Sequence, residues 1–357
     1  SADFRIHSVA FFFEPLLSAH DRTQVKSFCY YNATETDAVT SRLKKASSAW
    51  HNVAALNDDQ LYDLIRHDRI DILVDLSGHT GGSRLPLFAR KPAPVQVSFL
   101  GYPNTTGMDV IDYRLTDDYA DPLGKTDCFH SEKLIRLDNG FLCYRAPDAP
   151  PCRDTAPANE RDYIIFGSFN NIAKLSKPTI ELWSAVLNKT PGAKLFLKGK
   201  AFADDQARMY VESQFELQGI ASDRLIFKAY SKSISEHLTL YHDVDIALDC
   251  YPYNGTTTTF EALWMGVPVI SLCGQSHASR VGNSILNVVG LGDLVAQTQQ
   301  EYIAIAYKLS SDIAALNNYR QTLRSQLQAS PLMDESAYAQ KIEQAYQLMW
   351  ENTLASD

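Results

Sequence analysis

The sequence has no apolar run approaching the roughly 20 residues that a membrane-spanning helix needs, no CxxC pair, no GxGxxG after a strand-like run and no GxxxxGKS/T. These gaps argue against a spanning protein, a zinc ribbon, a dinucleotide-binding enzyme and a P-loop enzyme. Its first residues, Ser1-Ala2-Asp3-Phe4-Arg5, lack the basic-then-apolar layout of a secretory signal, so the chain reads as cytoplasmic. Positive charge is in short supply: 33 Lys and Arg stand against 42 Asp and Glu, a formal charge of −9. That balance disfavours nucleic acid and anionic membrane as partners, while leaving room for a local basic pocket that holds a phosphate. The six cysteines fall largely in apolar runs, where a thiol behaves as a small hydrophobe, and are expected to be reduced and mostly buried. No cluster has metal-ligand spacing. Asp243-Val244-Asp245 formally matches a metal-holding DxD, but it opens a strand at the end away from the expected ligand edge and is expected to be solvated.

At 357 residues the chain exceeds the roughly 250–300 residues at which one core stops growing, so two lobes are expected. Near-continuous apolar runs at 164–170, 193–199, 224–230, 244–250 and 268–274 read as strands buried on both faces. Helical segments at 178–189, 202–217, 235–241 and 257–265 alternate with them, which predicts an α/β lobe with a doubly wound parallel sheet. The first half follows the same logic, with strands at 25–30, 70–76 and 95–100 and helices at 59–67 and 84–90. Four prolines between 145 and 160 mark an exposed linker. The expected domains are therefore 1–145, a linker at 146–160, a second lobe at 161–330 and a terminal helix at 331–357 that packs back toward the first lobe. Because no strand precedes Asp3-Phe4, the first lobe is expected to lack its opening strand.

The strongest chemical signal is Asn254-Gly255-Thr256-Thr257-Thr258-Thr259, which follows the strand ending at Asp249-Cys250 and leads into a helix. Threonine is a mediocre helix former, and an N-cap accounts for only one of the four. An anion site accounts for all of them: glycine permits close backbone approach, and free N–H groups and hydroxyls at a helix N-terminus bind phosphate oxygens. Glu261, one turn deeper, is placed to accept hydrogen bonds from a ribose diol. The second signal is Gly167-Ser168-Phe169-Asn170-Asn171-Ile172-Ala173-Lys174, a strand end entering a polar loop. A lone loop lysine is usually solvated surface, but beside the threonine loop Lys174 can neutralise a departing diphosphate. His7, four residues after Asp3, can supply a proton acceptor or a sugar contact, and His237, expected to begin a helix, can stack on a base. For either histidine alone, a packing or surface role is the commoner reading.

With these residues in hand, the sequence resembles the catalytic region of the protein O-GlcNAc transferase family, particularly its SPINDLY-like branch. The resemblance runs through Ser1-Ala2-Asp3-Phe4 with His7-Ser8-Val9, Asp71-Ile72-Leu73-Val74-Asp75-Leu76-Ser77-Gly78-His79-Thr80 and Pro92-Ala93-Pro94-Val95-Gln96-Val97. It continues through Leu100-Gly101-Tyr102-Pro103-Asn104-Thr105-Thr106-Gly107, the two loops above and His277-Ala278-Ser279-Arg280-Val281-Gly282. It implies an inverting, metal-independent GT-B enzyme of two Rossmann-like lobes facing across a cleft, with C-terminal helices. By the same resemblance Lys174 contacts the diphosphate and Asn171 the donor, while Gly255, Thr256, Thr257 and Thr258 bind phosphate. Glu261 takes the ribose, His237 lies against the base, and Tyr230 and Ser231 belong to the nucleotide-binding segment. Asp3 and His7 form the active-site pair, and Leu100, Gly101 and Pro103 wall the sugar.

The implied reaction moves GlcNAc from UDP-GlcNAc to Ser/Thr hydroxyls of an acceptor protein, with no cofactor. Thr256 stands where animal members carry a histidine, and the segment 228–235 is one residue longer than theirs; both features lean toward the SPINDLY-like branch. Some members of that branch resemble O-fucosyltransferases using GDP-fucose, which leaves that donor as an alternative, with an inactive nucleotide-sugar-binding scaffold as another. Family members carry tetratricopeptide repeats upstream; none is visible in this sequence.

Overall fold

The structure, a computed structural model, describes residues 1–355, which fall into two compact units: Ser1–Arg145 with the segment from Pro331 onward, and Ala146–Ser330. The first unit opens with α1 (Ser8–Ala19), then β1 (Phe28–Tyr31), α2 (Ala38–Ala46), β2 (Ala49–Asn52), α3 (Asp58–His67), β3 (Ile72–Asp75) and α4 (Leu85–Phe88). It continues with β4 (Val95–Ser98), β5 (Tyr113–Thr116) and β6 (Lys133–Arg136). Strands β3-β4-β5-β6 form a parallel sheet in chain order, and β1 and β2 form a separate parallel pair.

The second unit holds β7 (Ile165–Ser168), α5 (Lys177–Lys189), β8 (Lys194–Lys198), α6 (Asp205–Glu216), β9 (Leu225–Lys228), α7 (Ile234–Thr239) and β10 (Ile246–Leu248). After these come α8 (Thr257–Trp264), β11 (Val269–Leu272), α9 (Val281–Val289), β12 (Val295–Ala296), α10 (Gln299–Ser310) and α11 (Ile313–Gln328). Its six strands are all parallel in the order β9-β8-β7-β10-β11-β12. Counted from β7, that is the 3-2-1-4-5-6 order of a doubly wound nucleotide-binding sheet, and its direction reverses between β7 and β10. The last helix, α12 (Glu335–Leu354), returns to the first unit, where the Tyr338 hydroxyl donates to the Phe141 carbonyl (2.7 Å) and Glu335 pairs with Arg145.

Caps explain several boundaries. The 202–217 helix expected from the sequence divides into a 3-10 turn at Lys200–Ala203 and α6, because the Asp204 carboxylate accepts from the Gln206 amide and starts a new helix. Ser233 caps α7 by accepting from the Glu236 amide, which places His237 in the last turn of that helix, not at its start.

The 146–160 segment departs from an exposed linker, since Ala156, Pro157 and Ala158 are buried in the second unit. The physical reason lies in the supposed DxD. Asp243 is exposed, but Asp245 is buried and accepts hydrogen bonds from the amides of Ala158 (2.8 Å) and Ile165 (2.9 Å), pinning the segment to β7. Burial pushes the Asp245 carboxyl up from its ordinary range. Among the described residues, no group of three His, Cys, Asp or Glu is arranged to hold a metal ion.

Nearby, the buried Arg320 guanidinium donates to the carbonyls of Tyr241 (3.2 Å), Met265 (3.0 Å) and Val244, and burial lowers it to about 10. Arg320→Ala strips three interior carbonyls of their donor and leaves Asp245 without its buried counter-charge. We expect a loss of about 3–5 kcal/mol in urea unfolding.

Candidate functional site

Ligands of doubly wound sheets bind beyond the carboxyl ends of the strands where the order reverses. In the second unit that point is flanked by two loops, one leaving β7 and carrying Asn170, Asn171 and Lys174, the other leaving β10 and carrying residues 249–256. The Lys174 ammonium bridges them. It donates to the Asn254 carbonyl at 2.7 Å and rests over the Tyr253 ring, 3.8 Å from the centroid. Burial lowers its pKa from the ordinary lysine value, and the nearby Asp249 carboxylate opposes that shift. One of its three protons is committed to Asn254, which leaves donor capacity for a ligand. A second link between the loops is the Thr258 hydroxyl, which donates to Asn170 Oδ1 at 3.0 Å. The exposed Asn171 turns its own side chain back to accept from the Ala173 amide (3.0 Å), ending the β7 loop in a 3-10 turn at Ile172–Lys174.

Helix α8 begins without a side-chain cap. The first of its early amides to be paired is that of Thr259, on the Thr256 carbonyl (3.1 Å); those of Thr256, Thr257 and Thr258 have no partner among the described residues. A helix start with three unpaired N–H groups and half-buried hydroxyls presents donors of the kind that anions accept. Gly255 serves it differently from the sequence-based expectation, because its amide is already spent on the Asp249 carboxylate (2.6 Å). The lack of a side chain is what matters there: a Cβ would lie 2.6 Å from Thr258 Oγ1 and 3.1 Å from Asn170 Oδ1.

One turn into α8, Glu261 is buried and its Oε2 pairs with His237 Nε2 at 2.9 Å. The carboxylate requires the proton on Nε2, and His237 Nδ1 is buried without a hydrogen bond. The Phe169 ring lies 5.7 Å from the imidazole. On the segment after β9, Tyr230 is 59% exposed while Ser231 is buried with an unbonded hydroxyl.

In the first unit, Asp3 is buried and its Oδ1 lies 3.7 Å from His7 Nε2. His7 also caps α1, its Nδ1 accepting from the Val9 amide (3.3 Å). Burial lowers its pKa against the pull of Asp3. A neutral imidazole with Nδ1 so engaged carries its proton on Nε2 and has no free lone pair, so in this arrangement His7 is a donor rather than a proton acceptor. Leu100, Gly101 and Pro103 sit on the loop after β4, where Leu100 takes a left-handed conformation (φ 58°). The buried Arg114 holds that loop through the carbonyls of Tyr102 (3.1 Å) and Asn104 (2.8 Å). Sequence reasoning placed Asn254 at the head of the threonine motif and Asp249 at the end of the strand before it, but gave no role to either or to Tyr253. A lone carboxylate ending an apolar strand, followed closely by asparagine and glycine, was the available signal.

The profile of glycosyl transferase family 41 matches residues 1–145 and 156–342. The chain belongs to glycosyl transferase family 41. It is 41% identical over 355 residues to the Hordeum vulgare protein named "Probable UDP-N-acetylglucosamine--peptide N-acetylglucosaminyltransferase SPINDLY", covering 98% of this chain and 37% of that protein. A solved structure of a Thermobaculum terrenum O-GlcNAc transferase mutant is similar at a TM-score of 0.93 and 39% identity, over 100% of this chain and 67% of that one. Anabaena Alr3699/HepE, solved with UDP and glucose, shares the fold alone, at a TM-score of 0.59 and 11% identity over 98% of each chain. The resemblance to the O-GlcNAc transferase family and the GT-B fold both hold for this family 41 chain, which spans little more than a third of the length of the curated relatives it matches. Among its described residues no helix is long and apolar enough to cross a membrane.

Proposed function

We propose that this family 41 chain transfers N-acetylglucosamine from UDP-N-acetylglucosamine to serine or threonine hydroxyls of proteins, with inversion at the anomeric carbon. The observation that carries the reading is the Lys174 ammonium held on the Asn254 carbonyl, two residues before the unpaired amides of Thr256, Thr257 and Thr258, at the point where the sheet order reverses. A leaving nucleoside diphosphate develops negative charge as the sugar bond breaks, and donors fixed in advance at that position stabilise it most where water is scarce. The names of the Hordeum and Thermobaculum relatives support this donor and acceptor class. In this reading Glu261 holds the ribose with Oε1, its other oxygen being occupied by His237, while Asn171, Tyr230 and Ser231 complete the nucleotide's surroundings. Leu100, Gly101 and Pro103 face the sugar. Asp3 and the donor His7 orient the sugar and the acceptor hydroxyl.

Calorimetric titration with UDP and with GDP tests the donor. We expect UDP to bind at least tenfold more tightly, a difference of about 1.4 kcal/mol, and the intact mass of an incubated acceptor protein to rise by one N-acetylhexosamine. A preference for GDP with addition of a deoxyhexose would replace the donor assignment by GDP-fucose; no binding of either nucleotide would remove the transferase reading.

A further inference from the structure

Asp249 ends the run of β10 and is 2% exposed. Its Oδ1 accepts from the amides of both Cys250 (2.9 Å) and Gly255 (2.6 Å), so a single oxygen closes the ends of a short arch, residues 249–255. Its Oδ2 accepts from the Ser271 hydroxyl on β11 at 2.7 Å. Helix α9 is pressed against this pair: a Cβ on Gly282 would stand 2.1 Å from Ser271 Oγ and 2.7 Å from Asp249 Oδ2, so only glycine fits. The Asp249 carbonyl is fixed as well, by the Trp183 indole of α5 and the Tyr302 hydroxyl of α10, each at 3.3 Å.

The arch carries the groups that hold Lys174. Asn254 offers the carbonyl that accepts from the ammonium, and its side chain is tied down by donating to the Cys250 carbonyl (2.9 Å) and accepting from the Gly282 amide (3.2 Å). Tyr253 supplies the ring beneath the ammonium. Immediately after Gly255 come the unpaired amides of the α8 start. A carboxylate buried at this depth costs far more than a neutral side chain would, and a neutral hydrogen-bonding residue could tie a loop without that cost.

We propose that Asp249 is a positioning residue of the anion site, whose buried charge closes the 249–255 arch and holds the Lys174 ammonium and the α8 amides toward one common ligand. The proposal rests on the diphosphate reading for the identity of that ligand, but not for the coupling between Asp249 and Lys174. The groups facing the carboxylate are few. Lys174 is the cation; Cys250 and Tyr302 have their pKa values raised by burial and stay neutral; Ser271, Gly282 and Trp183 carry no charge. Burial pushes the Asp249 carboxyl up to about 6, with Lys174 and the three hydrogen-bonding groups around it acting the other way. The charged form is therefore present above about pH 6 and lost below it, which gives sugar transfer an acid limb there.

The test compares wild type, Asp249→Asn and Ser271→Ala, each confirmed folded by circular dichroism. The rate at which an N-hydroxysuccinimidyl ester acylates Lys174 is followed against pH by peptide mass spectrometry, alongside the pH profile of transfer. Asp249→Asn is expected to shift the Lys174 labelling profile to lower pH by about one unit, since the amine loses its opposing charge. It should also lower kcat about 10–100-fold and erase the acid limb. Ser271→Ala keeps the charge but removes a hydrogen bond that favours it, so its acid limb should move to higher pH. An unshifted Lys174 profile in folded Asp249→Asn, with kcat within threefold of wild type, overturns the proposal. If Asp249→Asn does not fold, an acid limb unmoved by Ser271→Ala does so instead. Wild type that neither binds UDP nor transfers sugar sinks the donor reading, while the labelling comparison still decides the role of Asp249.

Discussion

Replacing Lys174 by methionine is expected to lower kcat by about a thousandfold, roughly 4 kcal/mol of transition-state stabilisation, while the chain stays folded. The ammonium sits between the Asn254 carbonyl and the Tyr253 ring, where burial already works against its charge. Methionine fills similar space without that charge, so the melting temperature should hold or rise. Lys174→Arg should not rescue activity. A planar guanidinium cannot set one proton on Asn254 and the others on a phosphate from the position of a compact ammonium. The lowered pKa also has a consequence in wild type: the cation is lost as pH rises through a value below that of an exposed lysine, so transfer should show an alkaline limb earlier than a surface lysine would give. Loss of that limb, together with kcat, in Lys174→Met would identify the amine as its source. Activity within tenfold of wild type would remove Lys174 from the chemistry and with it the main support for the diphosphate reading.

The parts of this protein that were legible in its sequence are those where local pattern and tertiary role agree. Strands β7, β8, β10 and β11 are apolar because both faces are covered, and they were visible as runs. The threonines of α8 stood out because helix propensity does not ask for them. The first unit was harder for identifiable reasons. Helix α1 carries Pro15 and ends its first turn on a phenylalanine run, which masks its periodicity. Strand β5 has Arg114 at its centre, a charge that breaks the apolar pattern, and tertiary contacts to Ser98, Tyr102 and Asn104 are what make it tolerable there. Strand β2, Ala-Trp-His-Asn, has no buried residue at all. Asp245 and Asp249 were misjudged or missed for a single reason: a carboxylate in the sequence reads as solvated, and only the folded chain shows which amides and hydroxyls surround it.

Gly101→Ala, in the first unit, is expected to lower transfer without touching nucleotide binding. In the first unit, the loops after β3 and β4 meet backbone to backbone. A Cβ on Gly101 would lie 2.0 Å from the Leu76 carbonyl oxygen and 2.7 Å from its carbon, and a Cβ on Gly78 would lie 2.3 Å from Tyr102 Cβ. These obstacles are main chain or side-chain root, so no rotamer change relieves them; the loop carrying Leu100 and Pro103 has to move by about an ångström or more. Overpacking of this kind typically costs about 1–3 kcal/mol, and a shift of that size in groups that orient a reacting sugar is worth about 100-fold in rate. The Leu100 backbone, held left-handed at φ 58°, adds to the effect, since it persists only while its surroundings enforce it. Gly81→Ala is the control, because nothing lies within 4 Å of its Cβ and it should unfold and turn over as wild type does. UDP affinity should be the same in all three proteins, because the groups proposed to bind the nucleotide belong to the second unit. A Gly101→Ala protein that binds UDP normally but transfers sugar at the wild-type rate would show that Leu100 and Pro103 do not face the reacting centre, and the wall around the sugar would have to be sought on another loop of the first unit.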